Sequence, residues 1–308
     1  MKRARFWLLA SAVLALVQAF VPDWRTGILG AMALPFTALG WVMRTLSLSG
    51  GVGNVLAWTL YGLLCLLPVL FWLRSQRRRE DGMLLLLSGI LALVLYYMIN
   101  PNLRHSYWQN DVGDLVYALP FWSILVAWGV LKLIVNEEVL ERNIYRALRI
   151  FLLLCAAACL MDCLGGELKN LLWQVEHYAG MDYGFSSGPT LLILLIRYLA
   201  RLAEGVLTAL VLYRGTALLD ALEADPFSEA CVEAAGEISR RCREALAIIT
   251  LSSAFVNLAQ LLMHGMLLDI QMELALPVMG MAVCFAMLAV TKLLVRGKAL
   301  QDDNDLFV

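Results

Sequence analysis

Three ionisable side chains, Arg197, Arg201 and Glu204, sit four and three residues apart inside one apolar stretch. At about 100° per residue they fall within an arc of about 60° on a helix, so all three look in one direction. Ionised groups are costly in hydrocarbon and therefore face neighbouring helices or a wet cavity. Glu204 is spaced to pair with Arg201, and Asp162 is the candidate partner for the remaining charge near Arg197. The next apolar stretch carries Ser253, Asn257, Gln260 and His264 at spacings of four, three and four. This second polar stripe is expected to face the first. Interhelical hydrogen bonding alone accounts for such residues, and a ligand or ion site is the alternative.

Patterns for covalent chemistry do not close. Glu137-Glu138-Val-Leu-Glu-Arg142 matches the opening of the membrane-embedded CAAX-type proteases. Trp173 and His177 supply their second element loosely, but Leu268 stands where the third, at His264, needs Asn or Asp. Gly184-Phe-Ser-Ser-Gly188 fits the Gly-x-Ser-x-Gly elbow, which needs a strand before it and a helix after it. A Ser186–His264 dyad would have to form without that elbow. No Cys-x-x-Cys, His-Glu-x-x-His or phosphate-binding glycine loop is present. The expectation is a protein that is not an enzyme, with no metal and no cofactor.

The elements that position these residues are read from hydropathy. Hydrophobic residues form 61% of the 308, charged residues 16%, and mean hydropathy is +0.74. A water-soluble surface cannot be made from so few charges, so lipid is the solvent for most of the chain. Lys and Arg number 24 against 25 Asp and Glu, which excludes the basic excess of a nucleic-acid-binding body. Seven cysteines, five of them in apolar stretches, are expected to pack as small residues between helices rather than to form a disulfide framework.

A spanning helix needs about 20 apolar residues. Eight stretches qualify: Phe6–Val21, Val52–Leu73, Met83–Ile99, Asp114–Val135, Ala147–Leu164, Thr190–Leu212, Leu246–Met266 and Leu276–Val295. The first is read as an uncleaved span. Gly27–Leu48 is also long enough, but Pro35, Gly40 and Arg44 interrupt it and 47–53 reads as a turn. Basic residues favour the cytoplasmic side of a bilayer. Eight spans put Lys2/Arg3/Arg5, Arg74–Arg79, Lys132–Arg149, Arg214–Arg243 and Lys292–Lys298 inside, leaving only Arg25, Arg44, Arg104 and Lys169 outside. The expected fold is therefore an all-α polytopic membrane bundle of eight spans with both termini cytoplasmic. Residues 1–136 form a four-helix half with 27–48 as an interfacial or re-entrant outer piece. Residues 137–146 form a charged cytoplasmic junction, and 147–308 form a second four-helix half.

Outside the lipid, Trp173, His177, Tyr178, Tyr183 and Phe185 crowd the segment Gly165–Pro189 as an aromatic belt or a recognition surface. On the cytoplasmic side Ser228 can cap a helix in which Cys231, Ala235, Ile238, Cys242 and Leu246 make one apolar stripe. Glu237–Arg241 and Arg240–Glu244 are spaced as pairs. This helix is expected to lie on the membrane and lead into the next span.

Asp220-Ala-Leu-Glu-Ala-Asp-Pro-Phe-Ser-Glu229 resembles an Asp-Lys-x-x-x-x-Phe-Ser turn. Arg296-Gly-Lys-Ala-Leu-Gln-Asp-Asp-Asn-Asp-Leu-Phe-Val308 resembles a closing pattern of Leu, two acidic or amide residues, Asn-Asp and a terminal aliphatic. Together they resemble the four-helix bacterial membrane-protein family catalogued as the domain of unknown function twenty-nine seventy-five, over about Tyr145 to Val308. The resemblance implies a bacterial inner-membrane protein, often encoded beside a small helix-turn-helix repressor, and supplies no catalytic residues. The expectation is a sensing, regulatory or peptide-immunity component. Phe227, Ser228, Arg240, Arg241, Asp302, Asp303, Asn304 and Asp305 would dock the cytosolic regulator, and an extracellular peptide or small ligand would be its input. Transport of a small molecule or peptide by the buried arginines is the alternative.

Overall fold

The structure is a computed structural model that describes residues 2–20, 27–74, 79–103, 113–134, 137–179, 188–267 and 276–305. It is all-α. The helices are α1 (Lys2–Phe20), α2 (Gly27–Leu48), α3 (Gly51–Arg74), α4 (Met83–Ile99), α5 (Gly113–Ile134), α6 (Glu137–Met161), α7 (Glu167–Ala179), α8 (Gly188–Ala224), α9 (Glu229–Met263) and α10 (Val278–Asp305). Four stretches are long and apolar enough to cross a membrane: Gly51–Arg74, Asn143–Tyr178, Glu229–Met266 and Val278–Asp303. Ala4–Phe20, Met83–Ile99 and Val116–Lys132 are apolar but shorter. These features point to a multi-pass membrane protein. The expected span Thr190–Leu212 lies on α8, which is 37 residues long but is not among them. Arg197, Arg201, Glu204 and Arg214 dilute its apolar character.

The helices fall into two compact units. One is 29–144. The other joins 1–28 to 145–308. This departs from a first half of 1–136, because α1 packs with the later helices. Leu8 joins the cluster of Ala156, Ala209 and Leu212, and Arg5 Nε donates to the Tyr213 hydroxyl at 2.9 Å.

In the unit 29–144 the segment expected to be interrupted is one continuous helix. Proline costs a helix one hydrogen bond, and α2 keeps running through Pro35. Its buried face, Ala33, Phe36, Gly40 and Met43, packs into the core. Phe36 meets Phe121 and Trp122 edge to face, with centroids 5.1 and 6.0 Å apart. Gly40 is needed for space, since a Cβ there would lie 2.6 Å from the Met98 Cβ. Arg44 donates to the Ile99 carbonyl at 2.9 Å, so its charge ends on a helix C-terminus. α2 thus contributes Phe36 and Met43 to the core of its unit. The turn expected at 47–53 is present at Ser49-Gly50, where Gly50 takes φ 127°, open to glycine at little cost.

In the other unit, α6 passes through a π-turn at Asp162–Gly166 directly into α7. The segment expected outside the lipid from Gly165 is therefore helical as far as Ala179. Trp173 and His177, one turn apart, stack at 5.2 Å. Tyr183, Phe185 and Ser186 lie outside the described residues, as do the side chains of Glu137, Glu138 and Arg142. Ser228 caps α9, its Oγ accepting from the Cys231 N–H at 3.2 Å. The apolar stripe does not face a membrane surface. Cys231, Ala235, Ile238 and Cys242 are buried with Val211 and Leu218 of α8 and Cys284 of α10. α8 and α9 form a long antiparallel hairpin, so the stripe is covered by protein. Glu237 pairs with Arg214 across that hairpin at 3.1 Å, not with Arg241, which pairs with Glu244 at 3.1 Å. All seven cysteines are free.

Candidate functional site

A cavity of about 180 Å³ opens where α6, the π-turn, α8 and the start of α10 meet. Asp162, Arg201 and Glu204 border it, so the structure brings together three of the seven residues expected in a polar site. Arg201 Nη1 donates to Glu204 Oε2 at 3.2 Å, as their spacing on one helix face requires. The Glu204 side chain is 15% exposed and that of Arg201 35%. Their local geometry comes from α8. The presence of Asp162 comes from the π-turn, in which the Glu167 N–H reaches back to the Asp162 carbonyl. A π-turn inserts one residue and rotates the rest of the helix, and such insertions recur at functional sites.

Arg197 lies outside the lining, partly exposed and with an interaction of its own. Asn257, Gln260 and His264 also do not line the cavity: Gln260 is buried, Asn257 half-buried and His264 exposed. The facing wall is α10, through Met279 and Gly280. α10 starts beside the middle of α8 and so occupies the place expected for the α9 stripe. A Cβ at Gly280 would fall 3.0 Å from the Thr208 Oγ1 and 3.3 Å from the Glu204 Cγ.

Cys159, Cys163, Glu167, Gly205 and Thr208 complete the lining. Thr208 comes four residues after Glu204, extending the stripe 197, 201, 204 at helical spacing, so periodicity is the signal that could have found it. Cys159 at the end of α6 and Cys163 in the π-turn, four residues apart, carry the same signal. Glu167 becomes visible only through the π-turn. Thr208 is 2% exposed and its hydroxyl has no partner.

Two features lie apart from this cavity. In the unit 29–144 a pocket of about 130 Å³ is bordered by Trp58, Tyr61, Tyr96, Asn54, Asn100 and Ser47, without an ionisable carboxylate or base. Three of its polar side chains are already used: Tyr61 donates to the Ala92 carbonyl, Ser47 to Asn54 Oδ1 and Asn100 to the Tyr96 carbonyl. At the end of the other unit, Phe227 is exposed, and a Cβ at Gly297 of α10 would lie 3.8 Å from its ring. The expected docking residues of the α8–α9 turn and of α10 thus share one end. Ser228 is spent as a cap, Arg241 is paired, and Lys298 holds Asp302 at 2.6 Å. Arg240 and Asp303 are exposed. The side chains of Asn304 and Asp305 are outside the described ones.

Among the described residues no group of three His, Cys, Asp or Glu side chains is disposed to hold a metal ion. No known protein family, curated protein or solved structure matches the chain.

Proposed function

We propose that this chain is a non-enzymatic sensing or regulatory protein of a bacterial plasma membrane, in which occupancy of the polar cavity is relayed to a cytoplasmic docking end. One observation carries the reading. α8 is a single helix of 37 residues that carries Arg201, Glu204 and Thr208 on the cavity and ends in the α8–α9 turn beside α10. A rigid element shared by two sites is what lets one bias the other. The docking end is a charged, cross-braced surface, with Arg149 bonded to Asp220 and Glu223 and Arg214 to Glu237. The family resemblance suggests a small helix-turn-helix regulator as the partner held there. A transporter of anions would need a free cation in the cavity, and Arg201 is engaged by Glu204, which favours the sensing reading.

The reading includes eight crossings with both termini cytoplasmic, supported by the distribution of Lys and Arg. The packing of α2 in the core of its unit favours a ninth crossing as the competing arrangement. Single cysteines at Arg3 and Arg78, in a background without the seven native ones, decide it with an impermeant label. Both on one side means that α2 does not cross. Opposite sides overturns the eight-crossing count.

The function is tested by retaining the full chain on a support and offering the helix-turn-helix protein encoded beside it. Retention that is lost on deleting residues 301–308 supports the reading; no retention by the intact chain overturns it.

A further inference from the structure

We propose that the cavity bordered by Asp162, Glu204 and Thr208 binds a small primary-ammonium cation. This rests on the sensing role above and names the ligand class for it. The Thr208 hydroxyl is the sharpest observation. Thr37, Thr45, Thr59, Thr216 and Thr291 all donate to a carbonyl three or four residues back in their own helices. That local bond is available to a helical threonine at almost no cost. Thr208 does not take it, although its oxygen is buried and without a partner. A buried hydroxyl left unsatisfied is costly, so a polar guest has a standing acceptor and donor there. Gly280 leaves the hydroxyl without a side chain pressed against it, since a Cβ at that position would come within 3.0 Å of it.

Charge fixes the sign of the guest. Asp162 is an exposed carboxylate on the cavity's border, and Glu204 already shares Arg201. Two carboxylates against one guanidinium leave a negative excess, and the carboxylate of Glu167 adds to the lining while holding an interaction of its own. An anion would be repelled. A metal ion is disfavoured because the side chains do not converge in a ligand cage. An ammonium group needs no cage. It is a point charge with three directional donors, which match two carboxylates and one hydroxyl oxygen. The walls of Met279, Gly280 and Gly205 accept a short alkyl chain, and about 180 Å³ gives room for it and for residual water.

The test is calorimetric titration of the full chain in lipid nanodiscs with ethylammonium chloride, at constant ionic strength. Saturable binding is expected. Asp162→Asn and Thr208→Val should each weaken it by about tenfold or more, the effect of losing a hydrogen bond to a charged group. Thr208→Ser, which keeps the hydroxyl, should bind within about threefold of the parent by the same reasoning. Tetramethylammonium and sodium, which donate no hydrogen bond, should give no comparable saturation. Absence of saturable heat with the parent chain overturns the proposal, as does undiminished binding by the Val and Asn variants. Equal binding of tetramethylammonium or sodium also overturns it. Ammonium binding that fails while the regulator is still retained removes the ligand alone. Ammonium binding that stands without regulator retention removes the sensing role alone.

Discussion

Among the described residues, the unit 29–144 holds no buried polar side-chain atom without a partner, whereas the unit built from 1–28 and 145–308 holds several. Trp122 donates to the Met32 carbonyl, Tyr61 to Ala92, Ser88 to Cys65 and Arg44 to Ile99. Around them pack rings: Phe36, Phe121 and Trp122 edge to face, Tyr97 stacked on Tyr117 at 4.8 Å. In the other unit Gln18, Thr208, Arg149 and Gln301 each carry a buried polar atom without a partner. Glycines make close contacts there, Gly205 against Cys163 and Gly215 against Met287. Large rings with satisfied polar groups hold one arrangement firmly. Small-residue contacts around unmet polar groups leave a space with something to bind, and the cavity lies there.

The comparison breaks first at the glycines. A Cβ at Gly205 would lie 2.6 Å from the Cys163 Cβ, as one at Gly40 would from that of Met98. Gly205→Ala and Gly40→Ala should each destabilise by about 1–3 kcal/mol through overpacking, read from thermal melts in a fixed detergent. Gly62, with open space around its Cβ position, is the control. Gly62→Ala should gain up to about 1 kcal/mol from helix propensity. Equal melts for all three variants would remove close packing as the organising feature of both units.

A smaller effect is expected at Asp81, the buried carboxylate of the partnered unit. Its side chain is 2% exposed and accepts from Trp128 Nε1 and Lys132 Nζ, both at 3.3 Å. Asp81→Asn should cost about 1–2 kcal/mol, because the charge-assisted bond to Lys132 is lost while Trp128 keeps a carbonyl to donate to. Gln18 supplies the opposite sign. It is fully buried with both amide atoms unpaired, on a face of α1 shared with Ala15 and Ala19. Gln18→Leu should stabilise by about 1 kcal/mol, since an unsatisfied amide is replaced by an apolar group of similar size. A loss at Gln18 in the same melts would mean that the amide has a partner in solution and that the contrast between the units is overstated.

How much of this is legible in sequence depends on the range of each signal. Hydropathy marks the helices because every turn repeats it, and helical spacing places Arg201 beside Glu204 because both lie on one helix. The cap at Ser228 is legible for the same reason, being settled within three residues. The features that sequence does not show need contacts between distant segments. Nothing local reveals that α1 joins the later helices, that α10 rather than α9 faces Glu204, or that the stripe from Cys231 to Cys242 is consumed by α8. Pro35 reads as an interruption by local rules, and packing against Phe121 and Trp122 outweighs it. The π-turn at Asp162–Gly166 is a register shift that no periodicity announces, and without it Glu167 stays off the site.

The smallest effect on stability is expected at the docking end, and there stability and function should part. Asp302 is half exposed and held by Lys298 at 2.6 Å, one turn back on α10. An exposed pair at this spacing contributes about 0.3–0.5 kcal/mol, so Asp302→Ala should barely move the melt. Asp302 also belongs to the acidic end of α10, near the exposed Phe227 ring, and a basic regulator would meet both. Asp302→Ala and Phe227→Ala should therefore weaken regulator retention by about threefold or more each, with the Asp302 effect shrinking as salt is raised. If retention is unchanged in both variants while deletion of 301–308 still abolishes it, the contact lies in the final residues instead. A melt lowered by more than about 1 kcal/mol in Asp302→Ala would show that the pair braces α10, and the docking end would then be a structural joint.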